Sequence, residues 1–256
     1  MIVTQGLSMT RVLLLGGTTE ASDLAKALAD QSIDAKALGE FIHAQYEQAG
    51  IEPDKIDTGA LILTGVAVRR SNSRAIADLF AAQAGKFVSV SAGDALETTL
   101  AAFGSGAAAR SVRETARVMN IDIGGGTTKI AVCENGELVD LTAVDIGARI
   151  VALDASGCVV RLEEAGLRFA KEVGLHLQLG QAVAPADLER MVNRMADRIF
   201  EVAGTSTPDA ISQSLLRLEP LLALKMPDVL TFSGGVSEYV YGRETQAYGD
   251  LGPMLA

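Results

Sequence analysis

The stretch Val118-Met119-Asn120-Ile121-Asp122-Ile123-Gly124-Gly125-Gly126-Thr127-Thr128 reads as a buried strand ending in a glycine turn suited to holding a phosphate. The alternating run Lys129-Ile130-Ala131-Val132 follows and reads as the return strand of a hairpin. With no Cβ in the way, successive N–H groups of Gly124, Gly125 and Gly126 can converge on an anion. Thr127 and Thr128 add hydroxyl donors, and Asp122 is placed to hold a hydrated divalent cation or to orient water. A plainer alternative is a tight hairpin whose glycines only supply positive φ angles. Against it stand three glycines where a hairpin needs one or two, two hydroxyl residues in succession, and a carboxylate on an apolar strand, where leaving it unpaired is costly.

Downstream, Val229-Leu230-Thr231-Phe232-Ser233-Gly234-Gly235-Val236 is again a short apolar strand that stops at a glycine pair. Together the two elements resemble the second phosphate loop and the adenosine loop of the superfamily of actin, sugar kinases and heat-shock chaperone ATPases. The resemblance implies an α/β fold of actin-like (ribonuclease H-like) lobes clamping ATP and Mg²⁺. Gly124, Gly125, Gly126, Thr127 and Thr128 would contact phosphates, Asp122 would serve the metal or the attacking water, and Ser233, Gly234 and Gly235 would lie against the adenosine.

From about Lys36 onward the chain also resembles a narrower family, the EutA reactivating factors of cobalamin-dependent ethanolamine ammonia-lyase. The stretches that carry this resemblance fall in the family's order. They include Ala49-Gly50-Ile51-Glu52-Pro53, Ile56-Asp57-Thr58-Gly59-Ala60, Ser91-Ala92-Gly93, Gly104-Ser105-Gly106-Ala107, Asp145-Ile146-Gly147-Ala148-Arg149, Arg194-Met195-Ala196-Asp197 and Leu251-Gly252-Pro253-Met254-Leu255-Ala256. Two departures accompany it. Family members open with a first phosphate loop of the Asp-Ile-Gly-Thr-Thr-Thr kind, whereas Leu15 stands here where that aspartate belongs. The segment Arg11 to Ala25 instead resembles the amino-terminal strand of precorrin-6A reductases, without a Gly-x-Gly-x-x-Gly fingerprint. Family members also run on past Leu-Gly-Pro, so the expected architecture is incomplete at both ends: a partial first lobe over 1–116 and a truncated second lobe over 117–256.

A length of 256 residues with 48% hydrophobic and 21% charged residues is enough for a sizeable core. The longest apolar runs fall far short of the roughly 20 residues a membrane helix needs, which predicts no membrane partner. Met1 to Met9 lacks a charged n-region, and Cys133 and Cys158 have no metal spacing; both suit a cytoplasmic protein. A net charge of −10 argues against nucleic acid as partner. Arg69, Arg70 and Arg74, and more weakly Arg110, Arg113 and Arg117, read as solvated helix ends, with an acidic partner as the alternative. His43 and His176 stand isolated, with no pattern that assigns either to catalysis.

Patterning predicts strands over 11–16, 59–65, 87–91, 118–123, 128–134 and 137–143, with Asn135-Gly136 as a type I′ turn. It predicts helices over 20–31, 36–49, 73–84, 94–102, 187–203 and 209–224. Asp145 repeats the Asp-Ile-Gly of the phosphate loop and is either a second metal-side carboxylate or a capping or turn residue. The leading expectation is an ATP-dependent reactivating chaperone that frees ethanolamine ammonia-lyase of inactive cobalamin, with a homo-oligomer possible and ATP hydrolysis left open. The alternatives are a non-catalytic binding module of the same family and, on Gly16 to Ala21 alone, a nucleotide-dependent reductase of cobalamin synthesis.

Overall fold

A computed structural model describes residues 3–5, 11–13, 35–52, 59–63, 87–91, 93–205, 208–222 and 225–256. They fall into two compact units, Met1–Gly93 and Asp94–Ala256. The helices predicted over 20–31 and 73–84, the glycine turn Gly16 to Thr19, and Arg69, Arg70 and Arg74 lie outside the described residues.

In the first unit, β1 (Val3–Gln5) pairs antiparallel with β2 (Arg11–Leu13), and β3 (Gly59–Leu63) pairs parallel with β4 (Phe87–Ser91). Helix α1 (Ala35–Ala49) buries Ile42 and Tyr46, one turn apart on one face, and ends at Gly50 with φ 62°.

The second unit begins with α2 (Asp94–Gly104) and α3 (Ala107–Arg113), which the sequence reading grouped with the first lobe. A meander follows: β5 (Val118–Ile123), β6 (Thr128–Glu134) and β7 (Glu137–Val144). Its second turn is the one the sequence predicts, with Asn135 and Gly136 at φ 50° and 85°. The sheet order is β10-β5-β6-β7, where β10 (Val229–Ser233) runs parallel to β5 on its outer side. A meander whose first strand takes a parallel neighbour, with helices on both faces, is the plan of a ribonuclease H-like lobe.

Strand alternation sorts the two faces. Met119, Ile121, Ile123, Ile130 and Val132 join the larger core beneath α4 (Glu164–Glu172) and α5 (Pro185–Phe200). Helix α5 contributes Leu188, Met191, Met195 and Ile199 to it at helical spacing. Val118, Ala131 and Cys133 face the other way and meet the small residues Ala102, Ala107 and Ala108 of α2 and α3. With neighbours on both faces, β5 is buried almost throughout, its polar Asn120 included.

Helix α5 stops earlier than predicted: a π turn over Glu201–Thr205 follows, closed by Gly204 at φ 97°. The helix predicted over 209–224 is far shorter, covering only Ala210–Leu215 (α6). Leu216 turns extended and bridges Val144, and the Arg217 N–H donates to the Ala143 carbonyl, so this backbone widens the sheet at β7 instead of continuing the helix. Pro220, which cannot donate an amide bond, disfavours helix just beyond. The hairpin of β8 (Val151–Leu153) and β9 (Val159–Leu162) is too short for a clear period and has no counterpart among the predicted elements; nor has α4, although Ala165, Phe169 and Ala170 recur in it at helical spacing. Two short helices complete the unit, α7 (Ser237–Val240) and α8 (Gly252–Leu255).

Candidate functional site

Because β5 and β10 are parallel, both glycine turns emerge from the same edge of the sheet, where ligands settle in open α/β folds. Register sets Ser233 beside Asp122 and Asp122 opposite Lys129, all on the face covered by α2. The hydrogen bonds run in one direction. Thr231 Oγ1 donates to Asn120 Oδ1 at 2.9 Å, Asn120 Nδ2 donates to Ser233 Oγ at 2.9 Å, and Ser233 Oγ donates to Asp122 Oδ2 at 2.5 Å. This chain orients the Asp122 carboxylate; among the described residues its Oδ1 takes no protein donor.

None of Gly124, Gly125 and Gly126 has a positive φ, so the hairpin alternative, glycines serving only turn conformation, does not hold. Close approach explains two of them. A Cβ on Gly124 would come within 3.3 Å of the Thr127 carbonyl oxygen, and one on Gly125 within 3.3 Å of the Arg149 side chain. A Cβ on Gly126 would meet nothing, and the residue faces solvent. The turn is closed by the Gly124 amide on the Thr127 carbonyl and lashed from behind by the Ala148 and Arg149 amides, which donate to the carbonyls of Gly124 and Gly125. Its carbonyls are thereby turned inward, and among the described residues the amides of Gly125, Gly126 and Thr127 donate to no protein group. Such an arrangement of open N–H groups suits an anion.

Thr127 and Thr128 part company. Thr127 Oγ1 accepts from Lys129 Nζ at 3.0 Å, whereas Thr128 is fully buried and donates its hydroxyl to the Ile146 carbonyl, so it offers no open donor. Gly234, at φ 80°, rests on the end of β5, where a Cβ would lie 2.5 Å from the Ile123 carbonyl oxygen. Gly235 is exposed with open space around it.

Asp145 lies in the bend that follows β7. Arg217 Nη1 holds it at 2.8 Å with Arg168 at 4.0 Å, and Arg217 also reaches Asp94 at 2.9 Å. Its repeat of the Asp-Ile-Gly motif matters two residues on: a Cβ on Gly147 would sit 2.5 Å from the Gly125 backbone, so this strap backs the glycine turn directly. Arg117 differs from the solvated reading, being buried and ion-paired with Glu134, while Arg110 and Arg113 pair with Glu114 at the end of α3. His43 and His176 are exposed. Sequence reasoning missed Lys129 and Glu97, which pair at 2.6 Å beside the turn. The signal for Lys129 was its position opposite Asp122 across a hairpin; nothing local pointed to Glu97.

Among the described residues no group of three or more His, Cys, Asp or Glu side chains gathers to hold a metal ion. Asp122 alone fits the magnesium habit of taking one or two carboxylates and completing its shell with phosphates and water.

The sheet order and its helices define a ribonuclease H-like class of fold, here with an open-amide glycine turn beside a single oriented carboxylate. The match to the model of "Ethanolamine utilisation protein EutA" covers residues 24–256, and the chain belongs to that family. It is 37% identical over 228 residues to the ethanolamine ammonia-lyase reactivase EutA of Salmonella typhimurium strain LT2, covering 88% of this chain and 48% of that one. To the reactivase of Escherichia coli strain K12 it is 35% identical over 219 residues, covering 84% and 46%. The chain thus spans about half the length of the curated relatives it matches. Among solved structures it is similar to an exopolyphosphatase-like protein, with TM-score 0.46, 16% identity and coverage of 77% of this chain and 55% of that one. A Ppx/GppA family member from Aquifex aeolicus gives TM-score 0.45 and 12% identity, with coverage of 89% and 58%. Among the described residues no helix is long and apolar enough to cross a membrane.

Proposed function

We propose that this chain carries the nucleotide-binding lobe of an ATP-dependent reactivating chaperone, acting in the cytoplasm on cobalamin-dependent ethanolamine ammonia-lyase to release inactive cobalamin. The observation that carries the reading is the parallel β5–β10 pair, which sets the Gly124–Thr127 turn and the Ser233-Gly234 turn around Asp122. We take 117–256 as the second lobe of the clamp. Phosphates would rest on the open amides of Gly125, Gly126 and Thr127, and the adenosine against Gly234 and Gly235. Bound Mg²⁺ would offset phosphate charge, with Asp122 as its protein ligand. The protein's share in hydrolysis is positioning: Asp122, held by Ser233, orients water, and the fixed amides meet developing charge without reorganising. The names of the curated relatives support the partner.

Calorimetry with Mg·ATP tests the site. Asp122→Ala is expected to weaken Mg·ATP binding at least tenfold and to leave adenosine binding nearly unchanged. No binding of Mg·ATP to the folded chain would overturn the reading. Binding without hydrolysis or reactivation of ethanolamine ammonia-lyase would leave the non-catalytic module as the better account.

A further inference from the structure

Lys129 and Glu97 lie on different elements, β6 and α2, with side chains 11% and 9% exposed, and meet at 2.6 Å. A pair this deep differs from a surface ion pair, which contributes little, because each charge is costly to leave without the other. Two contacts join Lys129 to the candidate site: its Nζ also donates to Thr127 Oγ1 at 3.0 Å, and across the hairpin it is registered opposite Asp122. An ammonium group has hydrogens and no acceptor, so the Thr127 oxygen must be the acceptor in this contact. The Thr127 hydroxyl hydrogen therefore points elsewhere, and the donation polarises the O–H and strengthens it as a donor. Thr127 stands at the mouth of the turn, next to the open amides of Gly125 and Gly126.

We infer that Lys129 is a positioning residue for the phosphate turn: held by Glu97, it presents the Thr127 hydroxyl as a donor toward the phosphates of the nucleotide. This rests on the nucleotide reading above and adds to it a device that favours a phosphorylated ligand over its nucleoside. Glu97 cancels most of the long-range charge of Lys129, so Lys129 acts through the hydroxyl and not as a phosphate ligand itself. It also links α2 to the turn, since a shift of Glu97 would move Lys129 and with it the Thr127 donor.

The test compares Mg·ATP and adenosine binding by calorimetry on the full chain. Lys129→Met is made together with Glu97→Gln, so that no carboxylate is left buried and unpaired, and Thr127→Val is made alone and in that background. Folding of each is checked by circular dichroism. Lys129→Met with Glu97→Gln is expected to weaken Mg·ATP about tenfold, as is Thr127→Val, and the triple variant about tenfold rather than a hundredfold, because both changes remove one interaction. Adenosine binding should stay within about twofold throughout. Lys129→Arg, which keeps donors and charge, should retain most of the Mg·ATP affinity, and it keeps the question answerable if the Met variant does not fold. Losses that multiply in the triple variant would mean that Lys129 touches phosphate directly, and unchanged Mg·ATP binding would mean that the pair only holds the fold; either result overturns the inference. Absence of Mg·ATP binding by the unaltered chain would instead remove the nucleotide reading beneath it.

Discussion

Around the glycine turns of the candidate site, Gly147 and Gly234 have little freedom to change. A Cβ at either would lie 2.5 Å from backbone of the phosphate turn or of the strand that leads into it, closer than real side chains come, and Gly234 also has φ 80°. Gly147→Ala is expected to push the Gly125–Gly126 backbone forward and to reduce Mg·ATP affinity by more than tenfold while the secondary structure persists. Gly126→Ala, where a Cβ meets open space, should bind nearly as well as the unaltered chain. Calorimetry on the two variants separates glycines required by packing from a glycine that is merely present. This distinction was not legible in the sequence, where the three consecutive glycines look equivalent. What sets them apart is Arg149 and Gly147, which approach the turn from a strap that hydrogen-bonds across the fold.

At the scale of elements, α4, α5, the π turn and α6 are tied by one buried cation. Arg198, 1% exposed, reaches Glu172 at 2.6 Å, Glu201 at 2.7 Å and Asp209 at 2.6 Å, and Ser212 Oγ at 2.9 Å. Burial alone would push the Arg198 pKa down, but hydrogen bonds to Asp209, Glu172 and Glu201 outweigh it and raise the pKa. Arg198→Met leaves Glu172 and Glu201 to Arg194 and takes the cation from Asp209. The loss of these charged hydrogen bonds is expected to cost about 2 kcal/mol of stability, read by thermal or urea unfolding. The same contact sets an acid limit. The hydrogen bond from Arg198, helped by the Ser212 amide, pulls the Asp209 carboxyl down to about 2. A lowered folded-state pKa stabilises above the ordinary carboxylate value near 3.9 and is lost as pH falls toward 2, because the unfolded chain takes up the proton first. Acid titration followed by circular dichroism should therefore show α6 loosening between about pH 4 and 2, and Asp209→Asn should flatten the response in that window.

This network also marks where reading the sequence stopped short. The apolar period of α5 and the meander with its Asn135-Gly136 turn were plain, since both are local patterns. Helix α6 was over-extended because apolar residues through 224 keep a helical rhythm, while the backbone of Leu216 and Arg217 serves the sheet at Val144 and Ala143. Contacts such as Arg217 with Asp94, separated by 123 positions, leave no local trace.

At the scale of the whole molecule, the residues of the candidate site all fall in one unit, Asp94–Ala256. Saturating Mg·ATP at about 100 times its Kd stabilises the bound state by about 2.7 kcal/mol. Hydrogen exchange is expected to show that added protection in Val118–Glu134 and Val229–Val236, with none in α1. Equal protection of α1 would count against a site confined to Asp94–Ala256. With a net charge of −10, the proposed binding of an anionic nucleotide would depend on local dipoles rather than on the general field of the protein.

The parallel pairing of Val118–Ile123 with Val229–Ser233 has a consequence for how the protein is born. The central strand emerges from the ribosome long before its outer neighbour, and at roughly 5–20 residues per second that neighbour follows on the order of ten seconds later. Throughout that interval one side of the strand is a bare edge of backbone donors and acceptors in an apolar sequence, the kind of surface on which nascent chains stick to one another. The strand that anchors both glycine turns is, in the newborn chain, the place where it most needs protection.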